Sequence, residues 1–134
     1  MMRPLVLFFT VVLLSACSDF NRALKSTDLD YKWKVAQEYY DKESWDRAIP
    51  LMEELIVLTR GTQRSQEVNY KHAKAHFNMK DYTLAAYYLA NFVRTFPTSP
   101  FAEECSFLSA YCYFKNSPNF ELDQADTRAA IAQM

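Results

Sequence analysis

Small and aromatic residues follow a helical period through the middle of the chain. In residues 68–97 they recur three or four positions apart, which is the spacing of one face of an α-helix. These residues are Tyr70, Ala73, Phe77, Tyr82, Ala85, Leu89 and Phe92. The polar run 78–81 interrupts the pattern, Asp81 can cap a second helix, and Pro97 ends the segment. The segment therefore predicts two helices joined by a short turn.

The segments on either side are imperfect copies of this one, 37 residues away in each direction (33, 70, 107). Four columns of side chains share the register: Trp33/Tyr70/Phe107, Ala36/Ala73/Ala110, Tyr39/His76/Tyr113 and Tyr40/Phe77/Phe114. The repeat predicts paired helices over 29–42 and 45–59, then over 65–79 and 81–96, and a further helix over 100–115. Asp126 matches Asp81 at a spacing of 45, so eight residues are inserted before a last helix, predicted over 126–134.

Single residues indicate where these helices begin, bend and end. Thr27-Asp28 supplies a cap for the first helix, Pro50 removes one hydrogen bond and should bend the second, and Gly61 is well placed to end it. An acidic residue also recurs in the first turn of each first helix, where the helix dipole favours negative charge. These acids are Asp30, Glu67 and Glu104.

The amino-acid composition excludes several classes of function. Of the 134 residues only Gly61 is a glycine, so no glycine-rich phosphate-binding loop can be written. Lysine and arginine number 15 against 16 acids, and no basic cluster accompanies the aromatic residues. Nucleic-acid binding is therefore not predicted.

The first 16 residues are predicted to be a lipoprotein signal peptide. A short positive start at Arg3 precedes an apolar run over 5–14, which is too short for a membrane span of roughly 20 residues. The residues Leu14-Ser15-Ala16-Cys17 fit the bacterial lipobox, so we expect Cys17 to receive fatty acyl chains such as palmitate. An uncleaved anchor or a buried Cys17 are the alternatives. Residues 17–27 then form a lipidated polar tether, and residues 28–134 form the repeat domain.

Two further cysteines, Cys105 and Cys112, lie seven residues apart on one predicted helix. That separation is about 10 Å along a helix axis, whereas a disulfide needs α-carbons within roughly 7 Å. We therefore expect buried free thiols.

The strongest candidate for metal or catalytic chemistry is the motif HAKAH. It places His72 and His76 on one helix face, as in zinc proteins. No glutamate lies between them and the chain has no third histidine, so a structural role for His76 in its aromatic column is the preferred interpretation. No catalytic residue, metal or cofactor is predicted, and the protein is not expected to be an enzyme.

The helix pairs resemble the tetratricopeptide repeat, in which small residues allow close helix packing and aromatic residues fill the space between pairs. The matching residues are Ala36, Tyr39, Tyr40, Ala48 and Met52 in the first copy and Ala73, Phe77, Ala85, Leu89 and Pro97 in the second. The resemblance implies an all-α helical solenoid of about two and a half repeats. It also implies a concave groove lined by the first helices. The expected peptide-binding residues are Trp33, Tyr70, Phe107, Tyr40, Phe77 and Phe114, although packing between repeats is the alternative role.

A lipobox followed by DRAIPLMEELIVLTRGT, DYTLAAYYLANFVRTFPTSPFAEE, SAYCYFKNSP and LDQADTRAAI resembles the BamD family, in its Bacteroidetes form. These are tetratricopeptide lipoproteins of the outer-membrane β-barrel assembly machinery. The resemblance implies a lipid-anchored, periplasm-facing scaffold at the cell outer membrane. Its expected partners are a BamA-like barrel protein, other subunits of the assembly complex and unfolded outer-membrane proteins.

Two alternative functions accompany this interpretation, and one of them is an enzyme that uses His72 and His76. A glycan-binding lipoprotein of the SusD type also uses such repeats and could stack sugars on exposed aromatic rings. Members of the BamD family carry about five repeats, so the chain is also expected to be truncated at its C-terminus.

Overall fold

The computed structural model describes residues 19–117 and 123–133, and within those ranges its regular structure is entirely helical. After a short helical segment over 19–25, the helices are α1 (Leu29–Asp41), α2 (Trp45–Leu58), α3 (Arg64–Asn78), α4 (Tyr82–Thr95), α5 (Ala102–Asn116) and α6 (Ala125–Gln133). They form three consecutive pairs, so the all-α repeat fold is confirmed, and the predicted helix ends agree to within one or two residues. The signal peptide, Cys17 and most of the inserted loop lie outside the described residues.

Helix starts follow the predicted capping residues. The Asp28 side chain accepts hydrogen bonds from the backbone N–H groups of Asp30 and Tyr31, at 3.0 and 3.1 Å. Asp81 accepts from the N–H of Leu84 at 3.2 Å. Both carboxylates satisfy donors that a helix start leaves without an intrahelical partner. The two predicted caps are therefore confirmed.

The turns inside the first two pairs have the same backbone geometry. Glu43 and Lys80, one repeat apart, adopt left-handed φ angles of 56° and 65°. The next N–H in each case bonds back to a carbonyl five residues earlier, from Ser44 to Tyr39 at 2.9 Å and from Asp81 to His76 at 3.0 Å. This is the Schellman motif, in which glycine usually occupies the left-handed position. The 37-residue repeat is thus expressed in the backbone as well as in the side chains.

The hydrophobic core consists of two clusters that meet along α3. The first cluster joins α1 and α2 and includes Val68 near the start of α3. The second cluster begins at Ala73 and joins α3, α4 and α5. Both contain fully buried leucines, Leu55 in the first and Leu89 in the second. Each half of the array therefore buries its own apolar side chains.

The predicted polar tether differs from the structure over its described part. Residues 19–25 are helical, and within them Ala23 is fully buried while Phe20 and Leu24 pack against the first cluster. The phenyl ring of Phe20 lies edge-on to Tyr39 at 6.0 Å. The seven described residues alone would form too short a helix to be stable in water. Contact with α1 and α2 therefore stabilises this segment.

The remaining local predictions concern Pro50 and the last helix pair. Helix α2 continues through Pro50. Gly61 follows the end of that helix with a φ of 79°. Helix α6 packs on α5 through buried Ala130, and the Ser109 hydroxyl donates to the Gln133 side chain at 3.0 Å. Cys105 and Cys112 are buried free thiols, as predicted.

Candidate functional site

The first helices of the three pairs, α1, α3 and α5, are joined by polar contacts that use the three repeated acids. Asp30 accepts from Arg64 at 2.6 Å, Glu67 accepts from the Gln37 amide at 3.4 Å, and Glu104 accepts from Lys74 at 2.6 Å. All three acids do lie in the first turn of their helices. Their side chains additionally bridge from one repeat to the next, a role that the helix dipole alone does not require.

Lysines of α3 lie over aromatic rings on this side of the array. The ammonium of Lys71 is 5.3 Å from the Trp33 ring and 5.5 Å from the Tyr40 ring. Lys74 lies 5.9 Å from Tyr70 and 6.0 Å from Phe77. A cation at about 6 Å or less from a ring face is attracted by the ring quadrupole. We call this surface of α1, α3 and α5 the aromatic face, defined by the six predicted peptide-binding residues together with Lys71, Lys74 and Tyr111.

Three of the six predicted residues converge on Tyr111. Its ring lies 6.1 Å from Phe77, 6.4 Å from Phe107 and 6.2 Å from Phe114. Phe107 is 63% exposed and Phe114 is 59% exposed, whereas Phe77 packs against the second core cluster. This end of the aromatic face therefore presents apolar rings to solvent.

The other three residues are used mainly in packing. Trp33 belongs to the first core cluster and is only 9% exposed. Tyr40 is half-buried, with its ring 5.1 Å from Trp45. Tyr70 stacks on Phe101 at 4.2 Å. The packing role that the sequence left open thus accounts for Trp33 and for much of Tyr40 and Tyr70.

Electrostatics on the aromatic face centre on Glu104. Its hydrogen bond with Lys74, and then that with Tyr70, lower the pKa of its carboxyl group below the ordinary value, against the opposing effect of burial. The Tyr70 hydroxyl donates to Glu104 at 2.8 Å. Burial, followed by this bond, raises the pKa of Tyr70, and burial followed by the charge of Asp41 raises the pKa of Tyr40. Glu104 is therefore a carboxylate and both phenols are neutral at neutral pH.

A second cluster of polar side chains lies between α2 and α3. His72 and His76 are 2% and 4% exposed, and their ring centroids are 4.9 Å apart. The Tyr88 ring stacks on His76 at 5.0 Å and meets His72 edge-on at 4.5 Å. Glu53 approaches from α2, with Oε1 3.8 Å from His72 Nε2. We call Glu53, His72 and His76 the histidine cluster.

Three of the four ring nitrogens in the histidine cluster have no hydrogen-bond partner among the described residues. In the described part of the chain, His72 Nε2 and both ring nitrogens of His76 are buried without a hydrogen-bond partner. A buried polar group left without a partner costs about 1–3 kcal/mol. Burial, and then repulsion from His76, lower the pKa of His72 to about 4, and burial also lowers the pKa of His76. Both rings are neutral at neutral pH.

Sequence reasoning missed four side chains of these sites, Lys71, Lys74, Tyr111 and Glu53. Tyr111 and Lys74 share one position of the repeat, 37 residues apart, but that column mixes residue types and gave no signal. Glu53 precedes His72 by 19 residues and lies on another helix. Only the tertiary packing of α2 against α3 brings Glu53 to the histidines.

Comparison with known proteins gives a family for this chain. Residues 26–134 match the family YfiO, described as outer membrane lipoprotein, which agrees with the BamD-like resemblance of the sequence. No curated protein matches. None of the helices within 19–117 and 123–133 has the length and apolar character required to cross a bilayer. Since the match covers most of the sequence, the chain belongs to the YfiO family of outer membrane lipoproteins.

Proposed function

We propose that this protein is a lipid-anchored scaffold in outer-membrane β-barrel assembly. In this proposal Cys17 carries the acyl chains and the repeat domain faces the periplasm. It binds a BamA-like barrel protein, other subunits of the assembly complex and unfolded barrel substrates, and its sequence belongs to the Bacteroidetes form of the family. The family match over residues 26–134 is the observation that carries the proposal. The lipobox at Cys17 supports the anchor.

The aromatic face is the proposed contact for an extended peptide with an aromatic end, such as the last strand of a barrel protein. Phe107 and Phe114 are exposed on either side of Tyr111, so an apolar side chain of a peptide can bury their rings. Lys115 lies 5.5 Å from the Tyr111 ring and supplies positive charge for a terminal carboxylate. Trp33 supports this face from the core.

A titration of a labelled C-terminal barrel peptide against the full chain tests this contact. Phe107→Ala and Phe114→Ala should each weaken binding roughly 5- to 30-fold, because a buried aromatic anchor contributes on the order of 1–2 kcal/mol. Tyr87→Ala is the matched control, since Tyr87 is similarly exposed, at 58%, on α4. Unchanged affinity in both phenylalanine variants, or equal loss in the control, would remove the aromatic face from the site.

The partner assignment has a separate test. The full chain is expressed in its native cell type and purified gently, and the outer-membrane proteins that accompany it are identified. We expect a BamA-like barrel protein. Recovery of a SusC-like transporter in its place would contradict the assembly function and favour the glycan-binding alternative.

A further inference from the structure

The histidine cluster departs from the repeat pattern at every one of its positions. Val35 and Ser109 occupy the positions of His72 in the other two repeats, and Tyr39 and Tyr113 occupy those of His76. Ala90 occupies the position of Glu53 in the next repeat. Packing at the neighbouring junction therefore requires neither an imidazole nor a carboxylate. All three exceptions meet at one place, between the first pair and the second.

Aromatic packing accounts for the rings of this cluster but not for their nitrogen atoms. A tyrosine ring occupies the His76 position in both other repeats, so stacking on Tyr88 does not need histidine. Three ring nitrogens are buried with no hydrogen-bond partner among the described residues. Buried polar atoms in native proteins are ordinarily paired, and a set that lacks partners calls for a ligand, an ion or water.

The geometry of the three side chains is close to that of a metal site. Each offers one ligand atom, and these atoms all lie within 4.8 Å of one another. A tetrahedral zinc ion with bonds of about 2.0–2.1 Å would hold its ligand atoms about 3.4 Å apart. The His72 Nε2 to Glu53 Oε1 distance is already 3.8 Å. Glu53 is 55% exposed, so rotation of its side chain can close the remaining separation and can admit an ion.

The chemistry of the three ligands selects a class of metal. Two imidazoles and one carboxylate are typical ligands of zinc and of neighbouring divalent transition metals, whereas calcium and magnesium prefer sites built from oxygen atoms alone. Three protein ligands also leave one position of a tetrahedral ion for water or another ligand.

We propose that Glu53, His72 and His76 form a divalent transition-metal site of the zinc type, which links α2 of the first repeat to α3 of the second. A bound ion would pair one nitrogen of each buried imidazole. It would also fasten the two core clusters together at the junction where they meet. This proposal stands independently of the peptide contact, because it uses none of the residues of the aromatic face.

The test measures metal binding directly. The full chain, purified in detergent without a polyhistidine tag and stripped with a chelator, is titrated with Zn²⁺ in competition with a chromophoric chelator. A parallel titration with Co²⁺ records the visible absorption that distinguishes tetrahedral from octahedral coordination. We expect one equivalent of tightly bound metal, a tetrahedral cobalt spectrum and a melting temperature that rises with metal.

Two variants remove ligands by different routes. Glu53→Gln keeps the shape of an exposed side chain, and His76→Tyr installs the residue found at that position in the other repeats. Each should weaken zinc binding at least tenfold and abolish the rise in melting temperature. The control variant is Glu103→Gln, which removes the same charge from an exposed position on α5. This variant should bind metal like the parent. Circular dichroism without metal checks that every variant is folded.

Three results would overturn the proposal. The stripped parent could bind no metal. Glu53→Gln and His76→Tyr, both folded, could retain the affinity of the parent. Glu103→Gln could weaken binding as much as they do, which would mean adsorption to surface carboxylates.

Discussion

The division of the core into two clusters predicts that a cavity in one cluster destabilises mainly its own half of the array. Leu89 and Leu55 make a matched pair for this test, because each is a fully buried leucine in a second helix of its repeat. Leu89 belongs to the cluster of α3, α4 and α5, and Leu55 to that of α1 and α2. In repeat proteins each unit contacts only its neighbours, so stability is a sum of local contributions.

The expected loss of stability is large. Replacing a fully buried leucine with alanine costs about 2–5 kcal/mol, from lost apolar burial and from the cavity left behind. A domain of this size has a total stability of roughly 5–15 kcal/mol. Leu89→Ala should therefore remove a substantial share of the free energy of unfolding. A local loss of about 2 kcal/mol corresponds to a roughly 30-fold drop in amide protection.

Hydrogen exchange followed by mass spectrometry resolves where the loss occurs. In Leu89→Ala, amides of α4 and α5 should lose protection at least about 30-fold, while those of α1 and α2 should change much less. Leu55→Ala should give the opposite pattern. Equal loss along the whole chain in both variants would show that the two clusters unfold as one cooperative unit, and the reasoning would be wrong.

Three further predictions concern the turns, the ion pair and the anchor. Lys80→Gly should raise the free energy of unfolding by about 0.5–1 kcal/mol, because glycine relieves the left-handed strain at Lys80. Lys80→Ala keeps a β-carbon and should give no gain in stability. A gain for Lys80→Ala in denaturant titrations would contradict the strain argument. Because its partners lower the folded-state pKa of Glu104 below 4.5, this carboxylate stabilises the protein above about pH 4.5 and ceases to do so as the pH falls through the folded value. Glu104→Gln should thus lower the free energy of unfolding by less than about 1 kcal/mol at pH 7, and the control Glu103→Gln should leave it unchanged. If Glu104→Gln is destabilised equally at pH 7 and at about pH 3, the ionised pair is not the cause. Cys17→Ala should move the protein out of the outer-membrane fraction; equal partitioning of variant and parent would refute the lipid anchor.

The sequence predicted the helices well because several independent signals coincide in each repeat. Alanine and aromatic spacing marks the buried face, Asp28 and Asp81 mark helix starts, and the register repeats every 37 residues. Residues 19–25 were predicted as a polar tether because so short a segment carries little periodic signal. Their helix depends on contacts with α1 and α2, and local patterns do not encode such contacts.

The sites were less predictable because one repeat position can have different surroundings in each copy. Trp33 and Phe107 share a column, yet Trp33 is in the core and Phe107 is exposed. The Trp33 ring is covered by Lys71 of the next repeat, whereas no described first helix follows α5 beyond Phe107. A column predicts which face of a helix a residue occupies, but its burial depends on the neighbouring repeat.

The folded segment 19–25 has a consequence for how the protein is held at the membrane. Lys32, buried in α1, donates to the Leu24 carbonyl at 3.2 Å and pairs with Glu54 of α2, so the end of the segment is fixed to the first repeat. Two residue steps separate Cys17 from Asp19, which is at most about 7 Å of extended chain. On the proposed anchor at Cys17, the first repeat therefore stays at the bilayer surface, and the later repeats are carried by the first repeat and not by a long flexible linker.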